Sequence, residues 1–135
     1  MDLTLKPIGV IHSPVTDRSA AAKQGSEGAP DVWIDIDPRF ADALFRLKPG
    51  DDIIVLTWLH LSRRDTLQVH PRSDPDRALH GVFATRSPDR PNPVGLHRAT
   101  LRQIDGLRLL VGPIEAIDGT PVIDIKPALS CVPDF

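Results

Sequence analysis

With 135 residues, 41% hydrophobic content and a formal net charge of -2, the chain has room for one core and lacks the strongly basic balance of a nonspecific nucleic-acid binder. No apolar run approaches the roughly 20 residues of a membrane helix. The N-terminus does not read as a secretory signal, and the single Cys131 has no disulfide or thiolate-ligand partner, so a cytoplasmic location without membrane attachment is expected.

Fourteen prolines, two tryptophans and no tyrosine favour short strands and frequent turns over a bundle of long helices. Residues 3–11 read as a first strand, and the small polar residues 17–30 as a loop. Residues 32–36, "VWIDI", alternate as a half-buried strand does. Asp37 followed by Pro38 signals a helix start, so "PRFADALFRL" is expected to be a helix burying Phe40, Leu44 and Leu47, stopped by Pro49-Gly50. The apolar run 53–61 reads as a strand buried on both faces. Further strands are expected at 66–70, 81–85, 94–104, 107–111 and 122–126, with Asp105-Gly106 as a two-residue hairpin turn. Trp33 and Trp58 fall in expected strands and read as core. This pattern predicts a mainly all-β chain, a small single-domain β-barrel over residues 1–135 with one or two short helices.

Charge is unevenly placed. Residues 62–102 hold eight arginines against four aspartates, a local excess of four positive charges. Arginine is the side chain that clamps carboxylates and phosphates with a planar fork, although a salt-bridged surface has the same composition. Within this segment lies "FATRSPDRPNPVG", residues 83–95. Pro91 and Pro93 push Arg90 and Asn92 toward extended geometry, so these side chains lose little freedom on meeting a ligand. Gly95 permits close approach where a strand resumes. The plainer alternative is a rigid turn with Arg90 paired to Asp89 or Asp124.

A second unusual stretch is "DGTPVIDIKP", residues 118–127. Strict alternation places Ile123 and Ile125 on one face and Val122, Asp124 and Lys126 on the other. Asp124 and Lys126 are then either a surface pair or a carboxylate and an ammonium kept for a site. His60, His70, His80 and His97 lack metal-ligand spacing, so no metal site is expected. No G-x-S-x-G elbow, G-x-G-x-x-G turn or Walker loop is present.

"PIGVIHSP" (7–14), "GVFATRSPDRPNPVGL" (81–96) and "DGTPVIDIKP", in this order, resemble the TrmO family, also called TsaA-like or VirR-like, over essentially the whole chain. The resemblance implies a small TsaA-like barrel distinct from the Rossmann methyltransferases. It implies S-adenosyl-L-methionine as cofactor, methylation of N6 of threonylcarbamoyladenosine at position 37 of tRNA, and a homodimer with the cofactor near its interface. Carried over residue by residue, it implies that Gln24, His60, Arg86, Arg90, Asp118, Gly119, Thr120 and Pro121 surround the cofactor, while Asn92, Asp124 and Lys126 stand near cofactor or acceptor. Asp124 is then the expected proton acceptor. The chain has Ala22-Lys23-Gln24 where longer relatives have Pro-Arg-Gln, and Ala128 where they have tyrosine. Competing expectations are a methyltransferase acting on another RNA or a small molecule, and a non-catalytic cofactor-binding module.

Overall fold

The structure, a computed structural model, describes residues 1–17 and 28–129. In chain order its strands are β1 (Gly9–His12), β2 (Val32–Ile36), β3 (Asp52–Trp58), β4 (Gln68–Val69), β5 (His80–Gly81), β6 (Val94–Asp105), β7 (Arg108–Gly112) and β8 (Pro121–Pro127). Six of them close an antiparallel barrel in the order β1-β2-β7-β6-β3-β8, and β4 and β5 form a separate two-stranded sheet.

Period-two alternation fills the barrel. Ile11 faces Ile34, Val32 faces Val111, Ile34 faces Leu109 and Val55 faces Ile125, each pair sharing the inner side. Ile53, Ala99, Leu101 and Val122 complete this lining, with Ile114 and Ala116 from the connection after β7. Closure leaves no barrel edge exposed, which suits a chain too small to cover a sheet with helices.

The alternating segment 32–36 is β2, residue for residue, and the other barrel strands lie where the sequence places them, with corrected ends. The first strand starts at Gly9 instead of residue 3; Pro7 brings no N–H to a ladder, and Leu3 and Leu5 are exposed. The apolar run from residue 53 leaves the sheet at Trp58, so His60 stands in a turn. The expected strands 66–70 and 81–85 shrink to the two-residue β4 and β5, and residues 82–84 form a 3-10 turn. In the β6–β7 hairpin Asp105 pairs with Arg108, so the turn residues are Gly106 and Leu107; Gly106 has φ +61°, at the position where such a turn favours glycine.

The expected helix is a 3-10 segment, Pro38–Leu44, broken by the non-helical Phe40. Phe40, Leu44 and Leu47 do pack against the core, only partly buried. Asp37 caps the segment by accepting from Arg39 N–H at 2.9 Å, and its hydrogen bond with the Arg39 guanidinium holds its carboxyl below the ordinary carboxylate range. A depressed carboxyl adds stability above its unfolded pKa and loses it as pH falls through the folded value. Asp37→Asn keeps a capping oxygen and removes the ion pair. Its melting temperature is expected below wild type at roughly pH 7, with a smaller gap at roughly pH 3, read by circular dichroism. An equal gap at both pH values would exclude the ion pair as the cause.

On β8 strict alternation fails. The register with β3 shifts between Leu56 and Thr57, so Val122 pairs with the inward Thr57 while Asp124 pairs with the outward Leu56. Val122 thus joins the core, Ile125 packs against it, and Asp124 and Lys126 share the outer wall. Both tryptophans are also outward and half-buried instead of core: Arg108 lies 4.5 Å over the Trp33 ring and Arg64 5.0 Å over Trp58.

Candidate cofactor site at the motif-bearing rim

One end of the barrel gathers the exits of β1, β3 and β7 and the entries of β2, β6 and β8. All three motifs therefore meet there, although 79 residues of sequence lie between Ser13 and Pro93. Backbone bonds fasten them: Leu59 N–H donates to Pro93 O at 2.8 Å, Asp118 N–H to Val15 O at 2.7 Å and Gly119 N–H to Ile11 O at 2.8 Å. The Asp118 carboxylate accepts from Ser13 N–H at 3.0 Å. Gly119 has φ +85°, and a Cβ there would lie 4.0 Å from His60 Nε2, so the "WLH" histidine and the "DGTP" turn are neighbours across the rim. Thr120 is buried and its hydroxyl donates to Ile117 O, which makes it a brace of the turn with no exposed oxygen to offer.

The stiff loop is held from within. Arg90 Nη2 donates to Val82 O and to Thr85 O, the latter at 2.8 Å, while Arg90 Nε is buried with no hydrogen-bond partner among the described residues. The expected partners of a purely structural Arg90, Asp89 and Asp124, are engaged elsewhere: Asp89 accepts from Arg63 N–H at 2.8 Å, and Asp124 meets Lys126 Nζ at 2.8 Å. Arg64, which nothing in the sequence singles out, donates to Pro91 O at 3.0 Å and to Asn92 Oδ1 at 3.2 Å while covering Trp58. Asn92 Oδ1 is thereby held on Arg64, which leaves its second lone pair and its amide N–H groups to offer.

The rim does not collect every expected site residue. Asp124 and Lys126 form an ion pair on the outer wall of β8, with their strand neighbours Leu56 and Ile54 rather than with His60 or Asp118. Arg86 is exposed in the loop that follows the 82–84 turn. Gln24, most of the expected 17–30 loop and Cys131 lie outside the described residues. The arginine-rich segment proves partly self-paired, Arg63 with Asp65 at 2.9 Å and Arg77 with Asp74 at 3.8 Å. No group of three or more metal-ligating side chains occurs among the described residues, and none of their helices is long and apolar enough to cross a membrane.

A depression of about 670 Å3 lies at the other end of the barrel, lined by Ala41, Asp42, Leu44, Phe45, Gly106 and Leu107. Asp42 is its sole ionisable group, so it lacks the convergent polar side chains that orient a small ligand, whereas the rim carries them.

A closed antiparallel barrel whose polar motifs converge on one rim, without a glycine-rich dinucleotide turn, defines a class of small cofactor-binding barrels separate from the doubly wound nucleotide folds. Residues 10–132 match the family described as tRNA-methyltransferase O N-terminal domain, and the chain belongs to that family. An Archaeoglobus fulgidus protein named "Probable S-adenosyl-L-methionine-binding protein" is 45% identical over 132 residues, 98% of this chain and 36% of its own length. A Methanothermobacter thermautotrophicus protein of the same name is 45% identical over 127 residues, 94% of this chain and 90% of its own. The crystal structure of TrmO from Pseudomonas aeruginosa superposes with a TM-score of 0.77 at 30% identity, covering 98% of this chain and 57% of that one. The chain thus spans about a third of the Archaeoglobus relative, nine-tenths of the Methanothermobacter one and just over half of the Pseudomonas structure.

The rim suits a cofactor with a nucleoside, an amino-acid carboxylate and a cationic centre. The buried Arg90 Nε is a donor still lacking an acceptor, and a buried donor left unmade costs roughly 1–3 kcal/mol. Gly119 leaves its face beside His60 open, and the Asp118 carboxylate remains half exposed after accepting from Ser13.

Proposed function

We propose that this chain binds S-adenosyl-L-methionine at the motif-bearing rim and transfers its methyl group to N6 of threonylcarbamoyladenosine at position 37 of tRNA. The observation that carries the reading is the approach of His60 to the Gly119 turn at the barrel end where the loop bearing Arg90 leads into β6. Gln24 completes the set by family resemblance.

When bound, the cofactor supplies an electrophilic methyl on a positively charged sulfur. Clamping that charge would favour the reactant over the transition state, in which the charge disperses, so the chain contributes mainly by positioning. His60 and the open face of Gly119 shape the cofactor's seat, Arg90 supplies a donor to it, and Arg64 and the prolines hold Asn92 in place. The acceptor nitrogen must shed a proton, and Asp124, which lies 2.8 Å from Lys126 Nζ, is the proposed acceptor. Because both stand on the outer wall, the proposal has a second copy of the chain completing the site. The outward pairs Leu56↔Leu96 and Trp58↔Val94 beside Asp124 supply an apolar face for such a homodimer in the cytoplasm.

Labelled S-adenosyl-L-methionine, offered with tRNA bearing or lacking the threonylcarbamoyl group, is expected to deliver methyl to the modified adenosine alone. Nucleoside mass spectrometry reads the product. RNA affinity should fall with added salt in proportion to the phosphates contacted. Asp124→Asn is expected to lower turnover at saturating cofactor about a hundredfold, and near-normal turnover would remove Asp124 from the chemistry. A specific observation favours a second reading. The Methanothermobacter relative, matched over nearly all of its length, is named only for binding the cofactor, whereas the TrmO structure has almost half its chain beyond this match. Cofactor binding without transfer to either tRNA would select a different RNA or small-molecule acceptor, or a non-catalytic module.

A further inference from the structure

The barrel interior is apolar through its middle and becomes polar at the motif-bearing end. There His97, 4% exposed on the inner side of β6, has both ring nitrogens engaged. Nε2 lies 2.7 Å from Thr57 Oγ1 on β3, and Nδ1 lies 2.8 Å from Glu115 Oε1 on the connection between β7 and β8. Thr57 is fully buried, and the Glu115 side chain is 16% exposed, the one opening of this chain toward water. A Cβ on Gly95 would fall within 2.7 Å of His97 Nε2, so the glycine of "PNPVG" is what allows the three groups to meet.

Each end of this chain is near a rim segment. Thr57 precedes His60 by three residues, Glu115 precedes Asp118 by three, and His97 follows Asn92 by five. Nδ1 faces a carboxylate oxygen at hydrogen-bond distance, so Nδ1 carries a proton; in the neutral ring Nε2 then accepts from the Thr57 hydroxyl, which burial deprives of water. Glu115 is the only charged group with a contact to His97 among the described residues.

We propose that His97 is a positioning residue for the cofactor site: by holding Thr57 and Glu115 at once, it fixes the spacing of the turns bearing His60 and Asp118 relative to the Arg90–Asn92 loop. This rests on the reading that the rim binds S-adenosyl-L-methionine. His97 touches no reacting atom in this role. Its loss weakens binding because the rim segments must then be ordered by the ligand itself.

The test is calorimetric titration of S-adenosyl-L-methionine into the full chain, at a temperature where every variant is folded. His97→Ala is expected to raise Kd at least about tenfold, whereas Ile53→Ala, a core truncation at the opposite end of the barrel, lowers the melting temperature while leaving Kd within about threefold. Glu115→Gln, whose amide oxygen still accepts from Nδ1–H, is expected to stay within about threefold, and Glu115→Ala to lose about tenfold. Should His97→Ala not fold, the Glu115 pair decides: equal Kd values for Gln and Ala overturn the proposal. Nitrogen-15 NMR of the imidazole is expected to find Nδ1 protonated, and a ring protonated only at Nε2 would also overturn it. A wild-type chain that melts normally yet binds no cofactor overturns the cofactor reading as well. Wild-type binding with unchanged variants overturns only the positioning role.

Discussion

Gly95→Ala is expected to destabilise the chain by about 2–5 kcal/mol, a large share of a small domain's stability. Gly95 is buried at the start of β6, and a Cβ there would stand 2.3 Å from Thr57 Oγ1, 2.7 Å from His97 Nε2 and 3.1 Å from a Leu59 methyl. The two nearest cannot step aside cheaply. Thr57 is β-branched with a restricted χ1 and is wholly buried, and His97 is pinned at both nitrogens. Overpacking costs roughly 1–3 kcal/mol, and a severed buried hydrogen bond leaves groups unsatisfied at a similar cost. Gly106→Ala supplies the contrast: φ of +61° strains any side chain there, but open space surrounds it, so only the backbone term of about 1 kcal/mol applies. Urea denaturation midpoints with unchanged slopes would rank the two. If Gly95→Ala were no costlier than Gly106→Ala, the Thr57–His97 contact would be a loose one.

Arg90→Lys is expected to weaken S-adenosyl-L-methionine binding by a factor of ten or more, about 1.4 kcal/mol, although it keeps the charge. The guanidinium uses one nitrogen on Val82 O and Thr85 O and holds Nε in a buried position without a partner among the described residues. A lysine ammonium can answer the carbonyls or a ligand from a single point, never both in the same plane. The loss should appear in Kd measured by titration and persist at high salt, because the net charge of the rim is the same in both proteins. Binding equal to wild type would mean that Arg90 serves only to fold the 82–85 turn.

The features read correctly from sequence share a local cause. "VWIDI" alternates because one face of β2 fills the barrel, and the β6–β7 hairpin announces itself through Gly106, whose positive φ few other residues tolerate. The 38–47 segment shows the limit of the same reasoning. Asp37-Pro38 does start a turn, but partly buried Phe40 adopts non-helical angles to pack on the core, and the segment stays 3-10. On β8 the alternation rule gave Val122 the wrong companions because one bulge reverses every face beyond it.

The residues of the candidate site were legible as motifs, through resemblance and proline-stiffened spacing, while their arrangement was not. Arg64 carries no signal that separates it from seven other arginines in its segment; only the fold lays it across Trp58 and onto Asn92. Thr57, His97 and Glu115 are separated by 40 and 18 residues, and nothing in their local sequence marks them as partners. Sequence by itself determined the strand-rich class, the places where the chain must turn and the rigidity of the loop around Asn92, since these follow from φ restrictions and side-chain alternation within a few residues. Tertiary structure decided which strand ends share a rim, which face of β8 looks outward and which polar groups reach one another inside the barrel. Those depend on closure and register, which set distances between residues that the chain itself keeps far apart.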